Sequence, residues 1–509
     1  MSKVKNAYKE IEEVVGSDYI TDKDFMKAAY SRNVDPAFPD RWADMIVRPE
    51  STEEVSEIVK IANKYKIHMV PRGGGADLVG GSVTEGGILL DLTRMNNIVD
   101  INETDFYCVV ECGITWGSLV SQLHNKELTT GVLGPGSGFS ATIGGGLSNS
   151  TAGFGSTKYG LVPDICLGVE VVLPNPQGTI IRTGAATNKY AKPFCRYGVA
   201  PDFTGLFMGD VGSMGIKTKA FLKLFPITPY KAQRYYILHK NDYDKVYKLM
   251  NKLRRDVRDG LHDVLVVPLI VVQLLAGMVE NKPIKRPRLK GPVFSIMVEA
   301  MDERILDVYL EKVEEIMKED TRPFEWQEID TEAKLSKDWK FELKYAYNYF
   351  NKYISIAPPK ISCTTCHKIP ISDLPKIAQQ SAEFDNKYRS ELPLGSISLF
   401  ATVIFLLPNG NCVIVGGFNA DNTDDQREKS MELWHKKLRH QVQYGGVHYW
   451  LGEAISQSIV EADAYTPEFI KFFKDMKKAV DPNFLLSPKK FHMYSYDHDI
   501  STHIVKEKE

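Results

Sequence analysis

The chain has 509 residues, of which 43% are hydrophobic and 25% are charged, as in an ordinary globular protein with enough apolar material for sizeable cores. This length suggests two or more domains. The formal net charge of −2 argues against nucleic acid as a bulk electrostatic partner. Seven cysteines are an odd and modest number for this length, which indicates reduced thiols in a cytoplasmic protein.

The chain changes character along its length. Residues 1–40 have a helical pattern with no apolar signal core, so secretion is not expected. Residues 41–225 are rich in glycine and short strands. In residues 226–455, helical patterns such as 242–257 and 304–319 alternate with strand-like runs such as 293–298 and 399–407. We therefore expect at least two domains in this part of the chain.

Residues 71–81, the first glycine segment, contain three consecutive glycines, Gly73, Gly74 and Gly75. An amphipathic pattern at residues 53–65 and a short apolar run at 67–70 precede them. A buried strand that ends in such a run leaves backbone N–H groups free to converge on an anion, because no Cβ stands in the way. The segment predicts a pyrophosphate site, although a surface turn would also accept these glycines.

A second glycine segment, residues 134–160, follows about sixty residues later. Its spacing is not that of a Rossmann strand–GxGxxG–helix unit, in which the three glycines lie within one turn. Two separate segments would instead clasp one ligand from two sides. Residues 167–184 then predict a β-hairpin with a turn at 175–178.

The ordered segments together resemble the FAD-linked oxidases with the vanillyl-alcohol-oxidase or p-cresol-methylhydroxylase type of flavin domain, and most of all the glycolate oxidase and D-lactate dehydrogenase flavoproteins. The matching stretches are residues 48–49, 71–81, 90–95, 142–146, 158–160, 168–174, 209–218 and 479–483. The resemblance implies an α+β fold with a two-subdomain FAD-binding domain at residues 41–225. It also implies an α+β cap domain with an antiparallel sheet at 226–455, and a segment at 456–509 that returns to the FAD-binding domain.

The resemblance also implies which residues hold FAD. The pyrophosphate positions are Arg72, Gly73, Gly74, Gly75, Ala76 and Asp77. The ribityl and isoalloxazine positions are Pro135, Thr142, Gly144, Gly145, Ala152, Gly153, Tyr159 and Gly160. The backbone of Ile216 matches a position that meets the flavin or adenine end. Some relatives bond FAD covalently to a histidine where this chain has Ala76, so noncovalent FAD is expected.

The implied activity is transfer of a hydride from a small hydroxylated substrate, such as D-lactate or glycolate, to flavin N5. The electrons would pass to an iron–sulfur protein, an electron-transfer flavoprotein or a quinone. Relatives that oxidise 2-hydroxy acids hold a metal through histidines and a Glu-His-Gly motif. Residues 414–422 contain no histidine and residues 445–453 keep only His448, so no metal is expected. Two alternatives therefore stay open: oxidation of an aromatic alcohol or phenol, and an electron-relay subunit of a larger complex.

Five side chains are candidates for the catalytic chemistry. His448 and Tyr449 are the acid/base candidates, and Glu453 would pair with either. Lys344 precedes an alternation of tyrosines at positions 345, 347 and 349, which predicts an aromatic pocket wall, a buried cap strand or a helix. His367 is the fifth candidate, because its position in the predicted cap sheet would bring it near the active site.

His367 also ends the motif Cys363-x-x-Cys366-His367, which taken alone is a c-type haem attachment signature. Its flanks predict one continuous β-strand, which would place the two cysteines on opposite faces. A haem, a metal and a redox-active thiol pair are alternatives to this structural interpretation.

The apolar run at residues 264–279 is too short for a membrane helix, so a buried core or a partner-facing patch is expected. The basic, proline-containing stretch at 282–290 predicts a solvated loop or a docking site for an acidic partner or an anionic membrane. We expect a cytoplasmic protein that also acts at the membrane surface if this stretch docks there, and a homo-oligomer or a subunit of a complex.

Overall fold

The computed structural model describes residues 3–31, 41–198, 200–269, 271, 291–323, 360–392 and 398–490. Its helices are α1 Lys3–Val15, α2 Asp24–Ser31, α3 Thr52–Tyr65, α4 Trp116–His124, α5 Ile143–Ser148, α6 Ser156–Tyr159, α7 Tyr243–Asp256, α8 Glu303–Met317, α9 Leu374–Lys387, α10 Asp424–Gln443, α11 Glu453–Val460 and α12 Pro467–Val480. Its strands are β1 Ile20–Thr21, β2 Met45–Val47, β3 Met69–Arg72, β4 Ile88–Asp91, β5 Ile98–Asn102, β6 Tyr107–Glu111, β7 Leu128–Thr129, β8 Cys166–Val172, β9 Ile180–Arg182, β10 Ile216–Lys223, β11 Phe225–Pro226, β12 Tyr230–Leu238, β13 Leu261–Val267, β14 Val293–Ala300, β15 Thr321–Pro323, β16 Lys360–Pro370, β17 Leu399–Leu406, β18 Asn411–Asp421 and β19 Val447–His448.

The first sheet has the strand order β1-β2-β4-β3, and β4 is parallel to both β2 and β3. Helix α3 packs against it through an apolar face that includes Val55, Ile58 and Val59. The helix ends with the predicted amphipathic pattern at Tyr65 and begins one residue before that pattern, at Thr52. The Ser51 side chain caps α3 by accepting a hydrogen bond from the backbone N–H of Glu54 at 3.1 Å. The chain then runs through β3 directly into the first glycine segment.

The second sheet has the strand order β5-β6-β10-β8-β9. Strands β8 and β9 pair antiparallel, which confirms the predicted hairpin. Helices α4 and α5 pack with this sheet around a core centred on the fully buried Trp116. The second glycine segment therefore has this buried core on one of its sides.

The third sheet, hereafter the cap sheet, has the strand order β15-β12-β14-β13-β17-β18-β16-β19, and all the pairings between its described strands are antiparallel. Helices α7, α8 and α9 contribute to a core on one of its faces. The predicted helices near residues 242–257 and 304–319 and the predicted strands near 293–298 and 399–407 are all present. The α+β fold class with an antiparallel cap sheet is confirmed.

The end of the described chain packs against the first sheet. The backbone N–H of Met69 donates to the carbonyl of Leu485 at 2.7 Å, and the N–H of Ser487 donates to the carbonyl of Met69 at 2.8 Å. Lys477 and Asp481 form a fully buried ion pair at 2.7 Å. Strand β3, which leads into the first glycine segment, is thus bordered by residues more than four hundred positions later in the chain.

Several predicted features lie outside the described residues. They are Lys344, the tyrosine alternation after it, the basic stretch at 282–290 and most of the apolar run at 264–279. The first residues of that apolar run belong to β13. Within the described part of the chain, no helix has both the length and the apolar character needed to span a bilayer.

Candidate cofactor and substrate cavity

A cavity of about 430 Å³ lies between the two glycine segments and the cap sheet. This volume is within the range of small-molecule and cofactor sites. Most of the residues expected to hold FAD line it: Arg72, Gly73, Gly74, Gly75, Ala76, Asp77, Pro135, Thr142, Gly144, Gly145, Ala152 and Gly153. Two stretches that are about sixty residues apart in sequence therefore face one space.

The first glycine segment presents unpaired backbone donors to this cavity. Strand β3 ends at Arg72, and within the described residues the N–H groups from Gly73 to Ala76 donate no hydrogen bond to protein. Gly75 has φ +64°, a conformation that glycine adopts without penalty. Successive free amides of this kind form an anion-binding concavity, so these residues fit the pyrophosphate of FAD.

Glycine is required here for a second reason, which is close packing of the two segments. A Cβ on Gly73 would lie 2.1 Å from Thr142 Oγ1, and a Cβ on Gly74 would lie 1.7 Å from the carbonyl oxygen of Ser140. The backbone at Gly73 and Gly74 therefore lies directly against the second glycine segment, which leaves no room for a side chain at these two positions.

Asp77 shapes the loop that follows. Its carboxylate accepts hydrogen bonds from the backbone N–H of Val79 at 3.1 Å, the N–H of Gly81 at 2.7 Å and the hydroxyl of Ser82 at 2.5 Å. These bonds fold the loop back on itself at the edge of the cavity. The geometry gives Asp77 a role in holding the loop in place.

Arg72 supplies a positive charge at the same end of the cavity. Its Nη1 donates to the carbonyl of Ser82 at 3.1 Å, and the guanidinium lies 5.1 Å from the centre of the Tyr30 ring. Burial lowers the pKa of Arg72, and the carboxylates of Asp77 and Asp91 oppose this. An arginine remains charged under such conditions, so it complements the negative pyrophosphate.

The second glycine segment forms the opposite wall. Thr142 caps α5, because its hydroxyl accepts a hydrogen bond from the N–H of Gly145 at 3.3 Å. Gly153 packs against the backbone, where a Cβ would lie 1.8 Å from the carbonyl oxygen of Gly134. These contacts give the wall a fixed shape made mostly of backbone.

Three of the expected FAD residues lie outside the cavity lining. The Tyr159 hydroxyl donates to Glu299 Oε1 at 3.1 Å, and its ring packs against Gly131. Gly160, with φ +85°, ends α6. Ile216 is the fully buried first residue of β10.

The cap sheet lines the other half of the cavity, together with Val271, Tyr449 and Trp450, which lie just beyond its strands. The lining side chains of this half are Tyr235, Leu265, Val267, Val271, Val293, Ser295, Ser362, Thr364, Thr402, Val403, Phe405, Val415, Phe418, Asn419, Tyr449 and Trp450, with Gly416 and Gly417. None of these described residues carries a charge. The cap half of the cavity is therefore apolar and aromatic, with a few hydroxyl and amide groups.

Tyr449 is the one catalytic candidate among the described residues that reaches this cavity. Its side chain is buried, and burial raises the pKa of its phenol well above the ordinary 10, with a further rise from the neighbouring Cys366. The phenol therefore stays protonated. It can donate a hydrogen bond to a substrate oxygen, and it cannot act as a base near neutral pH.

His367 and His448 lie on the other face of the cap sheet. Ser362 and Thr364 point into the cavity, whereas Thr365 accepts a hydrogen bond from Gln441 Nε2 of α10 at 3.2 Å. His367 shares this second face, with its ring centroid 6.3 Å from that of Tyr444 and 5.4 Å from that of its cross-strand partner, His448.

Burial keeps both imidazoles neutral. It lowers the pKa of His448 to about 4, and it lowers the pKa of His367 well below the ordinary value, with a further contribution from His448. Neither histidine lines the cavity. The structure therefore does not bring the two histidines together with Tyr449 at one site.

Strand β16 contains the whole Cys363-x-x-Cys366-His367 motif, as the flanking pattern predicted. The Cys363 thiol faces α10, where it donates to the carbonyl of Ser430 at 3.8 Å, whereas Cys366 packs beside Tyr449 and Ala152. Burial raises the pKa of the Cys366 thiol. The described residues include no group of three or more His, Cys, Asp or Glu side chains that could hold a metal ion.

The two remaining catalytic candidates have no described side chain. Glu453 is the first residue of α11, but its side chain lies outside the described atoms, as does the whole of Lys344.

Sequence reasoning missed Lys217, which lines the cavity and pairs with Asp210 at 2.7 Å. A lysine in the glycine-rich stretch 209–218 was the available signal.

Comparison with known proteins agrees with this geometry. Residues 43–184 match the family model described as an FAD binding domain. The chain is 34% identical over 223 residues to the glycolate oxidase subunit GlcD of Bacillus subtilis, a match that covers 44% of this chain and 45% of that protein. It is 36% identical over 188 residues to a probable mitochondrial D-lactate dehydrogenase of Danio rerio, covering 37% and 36%. The chain thus matches less than half the length of either relative.

Solved structures match over nearly the whole chain. A 4-ethylphenol oxidase from Gulosibacter chungangensis superposes with a TM-score of 0.79 at 21% identity, covering 96% of this chain and 97% of that one. p-Cresol methylhydroxylase superposes with a TM-score of 0.77 at 18% identity, covering 97% and 98%. The expected resemblance and the FAD cofactor are confirmed. Residues 43–184 are therefore an FAD-binding domain, in a chain whose fold is that of the vanillyl-alcohol-oxidase and p-cresol-methylhydroxylase type of flavoprotein.

Proposed function

We propose that the chain is an FAD-dependent oxidoreductase that oxidises a small hydroxylated substrate held between the two glycine segments and the cap sheet. The cavity supports this proposal, because its two halves differ in chemistry. One half offers free amides and a guanidinium for a pyrophosphate, and the other offers an enclosed apolar space for an organic substrate. When bound, FAD supplies the two-electron acceptor at N5.

We propose that FAD is held noncovalently. Ala76, the position at which some relatives carry a histidine, has only a methyl group. Precipitating the holoprotein with acid should release the flavin into the supernatant. Flavin that remains with the protein would contradict the proposal and would direct attention to Cys112 and Tyr449, which both line the cavity.

For the substrate, the cap lining favours a phenol or aromatic alcohol. A carboxylate buried against this lining would lack a cation, and an unpaired buried charge costs several kcal/mol. The aromatic side chains Phe405, Phe418 and Trp450 suit a planar ring instead. The protonated Tyr449 hydroxyl would donate to the substrate oxygen and so orient the carbon that loses the hydride.

The second candidate substrate class is a 2-hydroxy acid, such as D-lactate or glycolate. It is favoured by the names of the relatives to which the chain is similar. The match covers less than half of each of those proteins. The described cap lining offers no cation for a carboxylate, so the charge would have to come from Lys217 on the opposite wall or from Lys344, which lies outside the described residues.

Anaerobic reduction of the flavin separates these candidates. Purified holoprotein is mixed with 4-alkylphenols, benzylic alcohols, D-lactate or glycolate, and loss of the flavin absorption band is followed. Reduction by the phenols or benzylic alcohols alone is the expected result. Reduction by the hydroxy acids alone would overturn the substrate assignment, and a Lys344→Met variant would then show whether this lysine binds the carboxylate. If neither class reduces the flavin, the electron-relay function is favoured.

We propose that the electrons leave through an iron–sulfur protein, an electron-transfer flavoprotein or a quinone, in the cytoplasm or at a membrane surface. Substrate-reduced protein is mixed with a soluble quinone, with an electron-transfer flavoprotein or with dioxygen, and reoxidation rates are compared. Fast reoxidation by dioxygen alone would make the protein an oxidase and contradict the proposal.

A further inference from the structure

A buried charge cluster joins the second glycine segment to the cap sheet. Its members are Lys158 and Tyr159 of α6, Lys231 of β12, His262 and Asp263 of β13, and Glu299 of β14. The Glu299 side chain is only 1% exposed. Burying so many ionisable groups is costly unless each is paired, so the pattern of pairing carries information.

Glu299 is at the centre of the cluster. Its Oε1 accepts hydrogen bonds from Lys158 Nζ at 2.6 Å and from the Tyr159 hydroxyl at 3.1 Å, and its Oε2 lies 3.6 Å from Lys231 Nζ. Two of these partners belong to the glycine segment and one to the cap. A single carboxylate thus connects the last two residues of α6 to the cap sheet.

Asp263 holds the opposite end of the same helix. Its Oδ2 accepts a hydrogen bond from the N–H of Gly155, the residue that precedes α6, at 2.7 Å. The hydroxyl of Thr157 adds two further contacts, since it donates to the carbonyl of Leu406 at 2.8 Å and accepts from the N–H of Val264 at 3.0 Å. A helix of four residues is not stable alone, so α6 depends on these cap contacts.

The charges of the cluster stabilise one another. Burial raises the pKa of Glu299, but the positive charges of His262, Lys231 and Lys158 outweigh it and bring the value to about 2. Burial lowers the pKa of His262, but Glu299 and Asp263 outweigh it, so the net pKa lies above the ordinary 6.5. The docked cap therefore favours a protonated His262 beside two carboxylates.

We propose that Glu299 is a positioning residue for the cofactor, which couples docking of the cap to binding of FAD. Ala152, Gly153 and Phe154 line the cavity immediately before Gly155, the residue that Asp263 holds. Losing the cluster releases α6 and with it this stretch of cavity wall. The inference rests on the FAD-binding domain and not on the proposed substrate, so it stands or falls independently of the oxidation assays.

The direct test is the FAD affinity of a Glu299→Gln variant. Apoprotein is titrated with FAD, and quenching of flavin fluorescence gives the dissociation constant. We expect the constant to rise about 10–100-fold, because charge-assisted hydrogen bonds are lost at this position. Amide hydrogen exchange in residues 152–160 should accelerate, with no comparable change in the cap helices.

Glu103→Gln serves as the matched control, because it removes an exposed ion pair with Lys126 from the same domain. It should leave the FAD affinity unchanged. If Glu299→Gln does not fold, Tyr159→Phe removes only one hydrogen bond to the same carboxylate, and it should raise the dissociation constant several-fold. A folded Glu299→Gln or Tyr159→Phe variant that binds FAD as tightly as Glu103→Gln overturns the proposal.

A pH profile separates positioning through this charge cluster from a general structural role. His262 faces Glu299, Asp263, Lys231 and the ring of Tyr159. The pKa of His262 is raised in the docked state. The stabilisation that protonated His262 gives to the docked cap is therefore fully present below about pH 6.5, and it is lost as the pH rises through the pKa of His262 in the docked state. FAD affinity should fall over that window in the wild type and stay flat in His262→Asn. A decline that persists in His262→Asn would refute the role of this cluster.

Discussion

Gly74→Ala tests the packing of the two glycine segments. The new Cβ would lie 1.7 Å from the carbonyl oxygen of Ser140, a backbone atom that cannot rotate away. A normal contact between carbon and oxygen is about 3.3 Å, so the segments must separate by about 1.5 Å. Gly74 does not have a positive φ, so this contact is the whole perturbation.

The magnitude follows from this displacement. Forcing extra volume into a well-packed region costs about 1–3 kcal/mol. Without FAD the two segments can move apart and avoid much of this cost, whereas FAD requires both at its surface. We therefore expect the penalty to appear in binding, as an increase of about 5–150-fold in the dissociation constant.

Gly81→Ala is the matched control. Gly81 belongs to the same segment and also lacks a positive φ, but the nearest atom to its added Cβ would be Val211 Cγ1 at 3.4 Å, an ordinary contact. Fluorescence titration of the two apoproteins with FAD, with their melting temperatures measured in parallel, gives the comparison. If Gly74→Ala binds FAD as tightly as Gly81→Ala does, the close packing does not constrain the cofactor site and the reasoning is wrong.

Three further variants test individual side chains. Tyr449→Phe should lower the rate of flavin reduction by substrate about 5–30-fold and leave the FAD affinity unchanged. Equal rates for this variant and the wild type would exclude the hydrogen bond to substrate. In the wild type, the rate should show no inflection from this phenol up to pH 10. Asp77→Asn should lower the free energy of opening this loop by about 1–3 kcal/mol, so hydrogen exchange of the Val79 and Gly81 amides should be faster. Unchanged exchange at these two amides would contradict the structural role of Asp77. Lys477→Met leaves the buried Asp481 carboxylate without its lysine partner and, among the described residues, with only the backbone N–H groups of Leu485 and Leu486 as donors, so urea denaturation should show a loss of about 3–5 kcal/mol. A stability equal to that of the wild type would refute this role of the ion pair.

Local patterns in the sequence were sufficient for much of the fold. The amphipathic pattern of α3, the hairpin of β8 and β9 and the continuous strand β16 each depend on short-range signals, and all are present. The order of the glycine-rich stretches also indicated the FAD-binding domain. These features are local because turn and strand chemistry is written within a few residues.

The orientation of β16 was not available from the sequence. Alternation places Thr364 and His367 on opposite faces, but it does not say which face meets the cavity. Both faces are covered, one by the cavity and the other by α10, so neither is marked by polar residues as solvent-facing. The charge cluster around Glu299 could not be anticipated either, because Lys158 and Glu299 are more than a hundred residues apart in sequence.

The pairing of the C-terminal segment with β3 has a consequence for how the protein is made. Lys490 Nζ donates to the carbonyl oxygens of Gly80 and Val83, at 2.7 and 2.8 Å, so the first glycine segment gains these supports only when the last part of the chain has emerged. Contacts of such high sequence separation form late and slow the folding of the units that need them. Every described strand of the cap sheet precedes residue 490, so the cap sheet can assemble before these supports of the cofactor site exist. We therefore expect tight binding of FAD only after residue 490 has been synthesised.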